Sequence, residues 1–204
     1  MQRDFRHRFE PPRGSQATVL LLHGTGGDEN DLLPIGRGLA PGAALLSPRG
    51  SVDENGMARF FRRIREGVFD EDDIRRRAGE LAQFATDAAT QYGFDPNRLS
   101  VMGYSNGANM AAALMLLYPC MFAGAVLMRA TYPLDPSEPP AIPGTPVLIL
   151  AGQHDSILSA PGTEKLARAL SDAGARVEVR WHNLGHELGP EDFTAARDFL
   201  KVLL

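Results

Sequence analysis

One cysteine and one tryptophan are all that this 204-residue chain holds of those two residue types. A lone Cys120 excludes an intrachain disulfide and fits a reducing, cytoplasmic compartment. Its setting, Tyr118-Pro119-Cys120-Met121-Phe122, offers no neighbour to activate a thiolate, so it reads as a small buried hydrophobe where a helix ends. An excess of one charge sign is also lacking. The formal net charge of -4 gives no electrostatic reason to expect a nucleic-acid partner. Residues 1–9 have no apolar core and do not read as a secretory signal. Internal repeats and low-complexity stretches are missing too. The uncharged run 111–128 is about long enough to span a bilayer, but Pro119 interrupts it. Two buried elements joined by a turn account for that run, and no membrane insertion is expected.

What is present is ordinary globular composition, 44% hydrophobic and 23% charged, in a length that suits one domain over 1–204. Apolar runs at 17–22, 43–46, 99–102, 123–127, 147–150 and 177–181 read as strands. Helical patterns cover 30–39, 72–92, 108–117, 162–173 and 191–203. Such alternation implies an α/β fold with a mostly parallel sheet covered on both faces. The run Phe5-His7-Phe9 would add an antiparallel edge strand. Two stretches break the alternation: 49–69, which contains Arg59-Phe60-Phe61-Arg62-Arg63, and the proline-rich 131–146. Long loops at a sheet edge form pocket walls. From Arg59 to Glu80 seven arginines face six acids, which reads as a mixed face rather than an anion-binding patch.

The chemistry centres on Gly103-Tyr104-Ser105-Asn106-Gly107, set between the strand run 99–102 and the helical run 108–117. A G-x-S-x-G at a strand-to-helix turn reads as a nucleophile elbow, where the serine is strained and only glycine fits on either side. Serine needs a base, an orienting acid and donors for the oxyanion. In this architecture the partners follow in the order serine, acid, histidine. Asp155 follows the run 146–151 through Gly152-Gln153-His154, and His186 follows 176–182 through Asn183-Leu184-Gly185. Both therefore reach the same sheet edge as Ser105. The nearest competitors are His182 and His154 for the base, with Glu187 and Glu164 for the acid. Capping of the helix that starts near Ser159 is the alternative role for Asp155. The oxyanion donors are assigned to the backbone amides of Asn106 and of Thr25, the latter in His23-Gly24-Thr25-Gly26-Gly27. A phosphate loop is excluded there because no Lys-Ser/Thr follows and the full G-x-G-x-x-G is absent. His23 reads as structural.

Four stretches, Leu21-Leu22-His23-Gly24-Thr25-Gly26-Gly27-Asp28-Glu29, Gly103-Tyr104-Ser105-Asn106-Gly107-Ala108-Asn109-Met110-Ala111, Gly152-Gln153-His154-Asp155 and Gly185-His186, carry a family resemblance. In these the chain resembles the phospholipase/carboxylesterase family of α/β-hydrolases, which includes the acyl-protein thioesterases. The resemblance follows the family's order over most of the chain. It implies the α/β-hydrolase fold, a three-layer sandwich around a mostly parallel sheet. It also implies no cofactor, and hydrolysis of carboxylic esters with Ser105, Asp155 and His186 as the catalytic residues. Asn106 stands where thioesterase and lysophospholipase members usually have glutamine. Met128-Arg129 stands where they usually have serine-glycine. These departures point to the bacterial esterase branch and away from long-chain lipid or palmitoyl-protein substrates. Arg129 becomes a candidate to bind a carboxylate or polar acyl substituent, with an ion pair as the alternative. Phe60 and Phe61 are candidates to line an acyl or aryl pocket, with core packing as the alternative.

The expectation is a serine hydrolase that cleaves small carboxylic esters through an acyl-serine intermediate. A thioesterase or lysophospholipase on the same triad, and a non-catalytic ligand-binding protein, are the alternatives. A small-molecule ester is the expected partner, and an apolar patch near the last helix is a candidate to pair two copies as a homodimer.

Overall fold

The computed structural model describes residues 5–65 and 67–204. The chain enters through β1 (His7–Glu10), then β2 (Thr18–Leu22), helix α1 (Leu33–Leu39) and β3 (Ala44–Pro48). Two small hairpins follow, β4 (Val52–Glu54) with β5 (Met57–Arg59), and β6 (Arg63–Arg65) with β7 (Val68–Phe69). Helix α2 (Glu71–Tyr92) leads to β8 (Leu99–Tyr104), α3 (Asn106–Leu117), β9 (Ala125–Met128) and β10 (Pro146–Gly152). The last elements are α4 (Ala160–Asp172), β11 (Arg176–His182) and α5 (Pro190–Leu203). Seven strands form one sheet in the order β1-β3-β2-β8-β9-β10-β11. Only β1 runs antiparallel, at the edge expected for the first apolar run. The other six are parallel.

Strand β2 shows why helices must cover both faces. Its side chains alternate across the sheet: Leu20 and Leu22 join one core, Val19 and Leu21 the other. The first core is closed by α2, α3 and α4, through residues such as Ile74, Leu81, Leu114 and Leu166. The second is closed by α1 and α5, through Leu33, Leu39, Ala196 and Leu200. This is the three-layer α/β-hydrolase sandwich.

Local sequence explains the helix that matters most for packing. Asp70 caps α2 by accepting from the Asp73 amide at 3.0 Å, and three acids occupy its first turn, favourable at the positive end of the helix dipole. Gly93 ends it in the left-handed conformation. Ile74, Ala78, Leu81, Ala85 and Ala88 form its buried stripe. By contrast α3 is buried on every side from Asn106 to Leu116, as its lack of charge requires.

The structure differs from the sequence expectations in three places. The stretch 49–69 holds two hairpins whose strands of two or three residues are too short to display a period. Helix α1 starts at Leu33, because tight turns around Asp28 and Asn30 occupy the first part of the run. Cys120 is exposed rather than buried. It sits at φ 67° in the turn that ends α3, where the Met121 amide donates to the Tyr118 carbonyl, and this geometry turns the side chain outward. No helix among the described residues is long and apolar enough to cross a membrane.

Candidate active site

Parallel pairing brings the ends of several strands to one edge of the sheet. Leu22 lies opposite Gly103, and Tyr104 opposite Met128, so the loops after β2, β8, β9 and β10 converge there. Ser105 sits between β8 and α3 at φ 52° and ψ -115°, a conformation that costs a non-glycine residue about 1–3 kcal/mol. Its backbone N–H donates to the Met128 carbonyl at 2.9 Å, and its carbonyl accepts from Asn109 at 2.9 Å. The flanking glycines have no room for a side chain. A Cβ on Gly103 would stand 2.6 Å from the Gly107 carbonyl oxygen. One on Gly107 would stand 2.0 Å from that of Leu22. The elbow is therefore wedged between its own turn and β2.

Ser105 Oγ donates to His186 Nε2 at 2.8 Å, and His186 Nδ1 donates to Asp155 Oδ2 at 2.8 Å. An ionised carboxylate only accepts, so its contact selects the Nδ1–H tautomer and leaves Nε2 as the acceptor. The other oxygen of Asp155 accepts from the amides of Ile157 and Leu158 at 2.8 and 2.9 Å, which locks the carboxylate plane. Asp155 thus organises the loop before α4 while it holds His186. Tyr104 completes the support: its hydroxyl donates to the His186 carbonyl at 3.0 Å, and its ring lies 5.6 Å from the imidazole. Burial pushes the Tyr104 phenol above its ordinary value, so it stays a donor. The competing histidines are committed elsewhere, His182 to Asp192 at 2.8 Å and His154 to Asn183 at 2.7 Å.

The loop after β2 is held from three sides. His23 is buried; its Nδ1 donates to the Gly24 carbonyl at 2.6 Å, and its Nε2 accepts from the Gly50 amide at 2.9 Å. Burial lowers its pKa, consistent with a neutral ring that donates at one nitrogen and accepts at the other. Gly26 donates to the Ala58 carbonyl at 2.9 Å, and Arg59 Nη1 donates to Thr25 Oγ1 at 2.6 Å. The β4–β5 hairpin therefore grips the loop that carries Thr25. Asn106 is the first residue of α3, where amides have no intrahelical partner. Its Oδ1 accepts from the Phe60 amide at 2.7 Å.

Ser105, His186, Thr25 and Asn106 all border one cleft of about 250 Å³, with Asp155 behind the imidazole. Three sequence candidates do not border it. Phe60 and Phe61 are fully buried, Phe60 against the His23 ring and Phe61 edge-on to Phe69. They pack the core under the site, because the hairpins turn these apolar side chains inward. Arg129 is also buried, with no donor turned to the cleft. It forms a bidentate pair with Asp192 at 2.8 and 2.9 Å and donates to the carbonyls of Leu150, Gly185 and Glu187. The alternatives of core packing and ion pair are what the fold realises. Residues that sequence reasoning passed over take the wall instead: Arg59, Arg63, Phe69, Tyr104, Ile157 and Leu158. The arginines flank the two phenylalanines, and the inward turn of the aromatics was the available signal.

A parallel sheet between two helix layers, with a hydroxyl, an imidazole and a carboxylate linked in series at its carboxyl edge, defines the α/β-hydrolase class. Comparison with known proteins narrows this. The phospholipase/carboxylesterase family matches residues 9–204. A putative hydrolase of Bacillus subtilis (strain 168), MhqD, is 46% identical over 187 residues, spanning 92% of this chain and 94% of its own. The crystal structure of a Bacillus cereus carboxylesterase superposes with a TM-score of 0.95 at 41% identity, covering 98% of this chain and 95% of the other. A carboxylesterase from Mesorhizobium loti superposes at 0.88 with 34% identity, covering 93% and 90%. The chain belongs to the phospholipase/carboxylesterase family and is a carboxylic ester hydrolase.

Proposed function

We propose that Ser105, His186 and Asp155 act as the catalytic triad and cleave short carboxylic esters through an acyl-serine intermediate. The observation that carries this reading is the continuous chain of two 2.8 Å hydrogen bonds from Ser105 Oγ through His186 to Asp155. His186 Nε2 takes the Ser105 proton as Oγ attacks the ester carbonyl, and then delivers it to the departing alkoxide. Water repeats the sequence: His186 removes its proton, the hydroxide attacks the acyl carbon, and the proton returns to Ser105 as the acid leaves. The Asn106 and Thr25 amides would donate to the tetrahedral oxyanion, each worth roughly 3 kcal/mol to the transition state. A cleft of about 250 Å³ favours small substrates over long acyl chains.

Labelling by a fluorophosphonate, with the adduct mapped by mass spectrometry, tests the assignment. Adduct on Ser105, lost in Ser105→Ala together with p-nitrophenyl acetate turnover, supports it. Turnover at the wild-type rate in folded Ser105→Ala removes the serine from the mechanism. The further reading of a homodimer draws on Val202, 90% exposed near the end of α5, and sedimentation of the purified chain tests it.

A further inference from the structure

The run 59–80 has charges that nearly cancel in sequence, but they do not cancel in space. Arg62 pairs with Asp70 at 3.1 Å, and Arg75, Arg76 and Arg77 turn to the acids of α2. Arg59 and Arg63 go the other way, onto the wall of the cleft that holds Ser105. Among the described residues, one acid pairs with both: Glu54 meets Arg63 Nε at 2.9 Å and Arg59 Nη1 at 3.5 Å. Two guanidiniums against one carboxylate, among the described residues, leave this wall with one net positive charge. Among the described residues that border the cleft, no other side chain is a carboxylate, an ammonium or a guanidinium.

Arg59 is 3% exposed, so its charge is desolvated and only partly compensated. Burial lowers its pKa, Glu54 opposes that, and the nearby Arg63 adds to it. Its Nη1 and Nε atoms serve Thr25 and the Phe61 carbonyl, neutral acceptors that do not balance the charge. Two guanidiniums that share one carboxylate on the cleft wall favour an anion that accepts hydrogen bonds.

We propose that the preferred substrate is a short ester bearing a carboxylate, which Arg59 and Arg63 hold while Ser105 attacks the ester carbonyl. This rests on the esterase reading of the same site and specifies its substrate class. One carboxylate matches the net charge of the wall. The small cleft confines it to compact molecules such as half-esters of short dicarboxylic acids.

The test compares ethyl hydrogen succinate with its uncharged counterpart ethyl succinamate, with p-nitrophenyl acetate as a neutral reference. Wild-type protein should favour the half-ester in kcat/KM by about tenfold, as expected for a charge-assisted contact. Added salt should shrink that preference. Arg63→Gln, a change at a partly exposed side chain, should lower kcat/KM for the half-ester several-fold more than for the amide. Equal kcat/KM for the two esters, or an equal fall in both on substitution, overturns the carboxylate proposal and leaves the esterase reading standing if p-nitrophenyl acetate is cleaved. No turnover of any ester by folded protein overturns both.

Discussion

Arg129 and Asp192 form a fully buried ion pair whose spare guanidinium N–H groups donate to the carbonyls of Gly185 and Glu187, the two neighbours of His186. The pair is a clamp on the loop that presents the imidazole. Arg129 itself sits at φ 57° directly after β9, with its amide donating to the Leu150 carbonyl at 2.8 Å. The clamp thus ties the ends of β9 and β10 to the start of α5.

Loss of that clamp should affect both stability and rate. Arg129→Met leaves Asp192 buried without its arginine, a change that costs about 3–5 kcal/mol. Chemical denaturation should show it. In protein that remains folded, kcat should fall with little change in KM, because Arg129 touches the loop and not the cleft. The double variant Arg129→Met/Asp192→Asn should recover part of the stability without recovering kcat. Recovery of both together would reduce Arg129 to a purely structural part.

Asp192 gives the acid limb of stability a defined sign. Its burial favours the protonated form, but hydrogen bonds from Arg129, the Gly189 amide and His182 outweigh that and hold its pKa below the ordinary value. The unfolded state therefore binds the proton more readily. The stability from this group is complete above the ordinary aspartate pKa and is lost as pH falls through the lowered one. The difference in urea midpoint between wild type and Asp192→Asn should shrink between about pH 5 and pH 2. A constant difference across that range would contradict the linkage.

Gly107 tests the wedge behind the elbow. Alanine there would bring its Cβ within 2.0 Å of the Leu22 oxygen and 2.5 Å of the His23 oxygen, both backbone atoms of the central strand and its loop. Neither can move like a side-chain tip. We expect a loss at or above the usual overpacking range of about 1–3 kcal/mol, read from thermal or urea unfolding. An unchanged midpoint would mean that α3 can retreat from β2.

Cys120 is exposed just after the C-terminal end of α3, the end opposite Ser105. A thiol reagent should titrate one equivalent in the folded protein, with ester turnover intact. Protection until unfolding would place the side chain inside after all.

How far the residues alone carried the reading depends on the range of the forces involved. The elbow was legible because its requirements are local: two glycines, a serine and the switch from an apolar run to a helix former. The alternation of strands and helices was legible for the same reason, and it fixes which edge of a parallel sheet each following loop must reach. That argument brought Ser105, Asp155 and His186 to one edge from segments up to 81 residues apart, before any distance was known.

Side-chain direction was a different matter. Nothing local distinguishes an arginine after a strand that faces substrate from one that turns inward. Arg129 turns inward because Asp192, 63 residues later, waits there on the first turn of α5. In Arg59-Phe60-Phe61-Arg62-Arg63 the sequence supplied both the apolar and the charged groups. Packing against His23 and Phe69 decided that the aromatics go under the cleft and two arginines border it. Burial of apolar area and pairing of buried charge are satisfied only by partners distant in the chain. The tertiary structure alone could assign them, and with them the charge of the site.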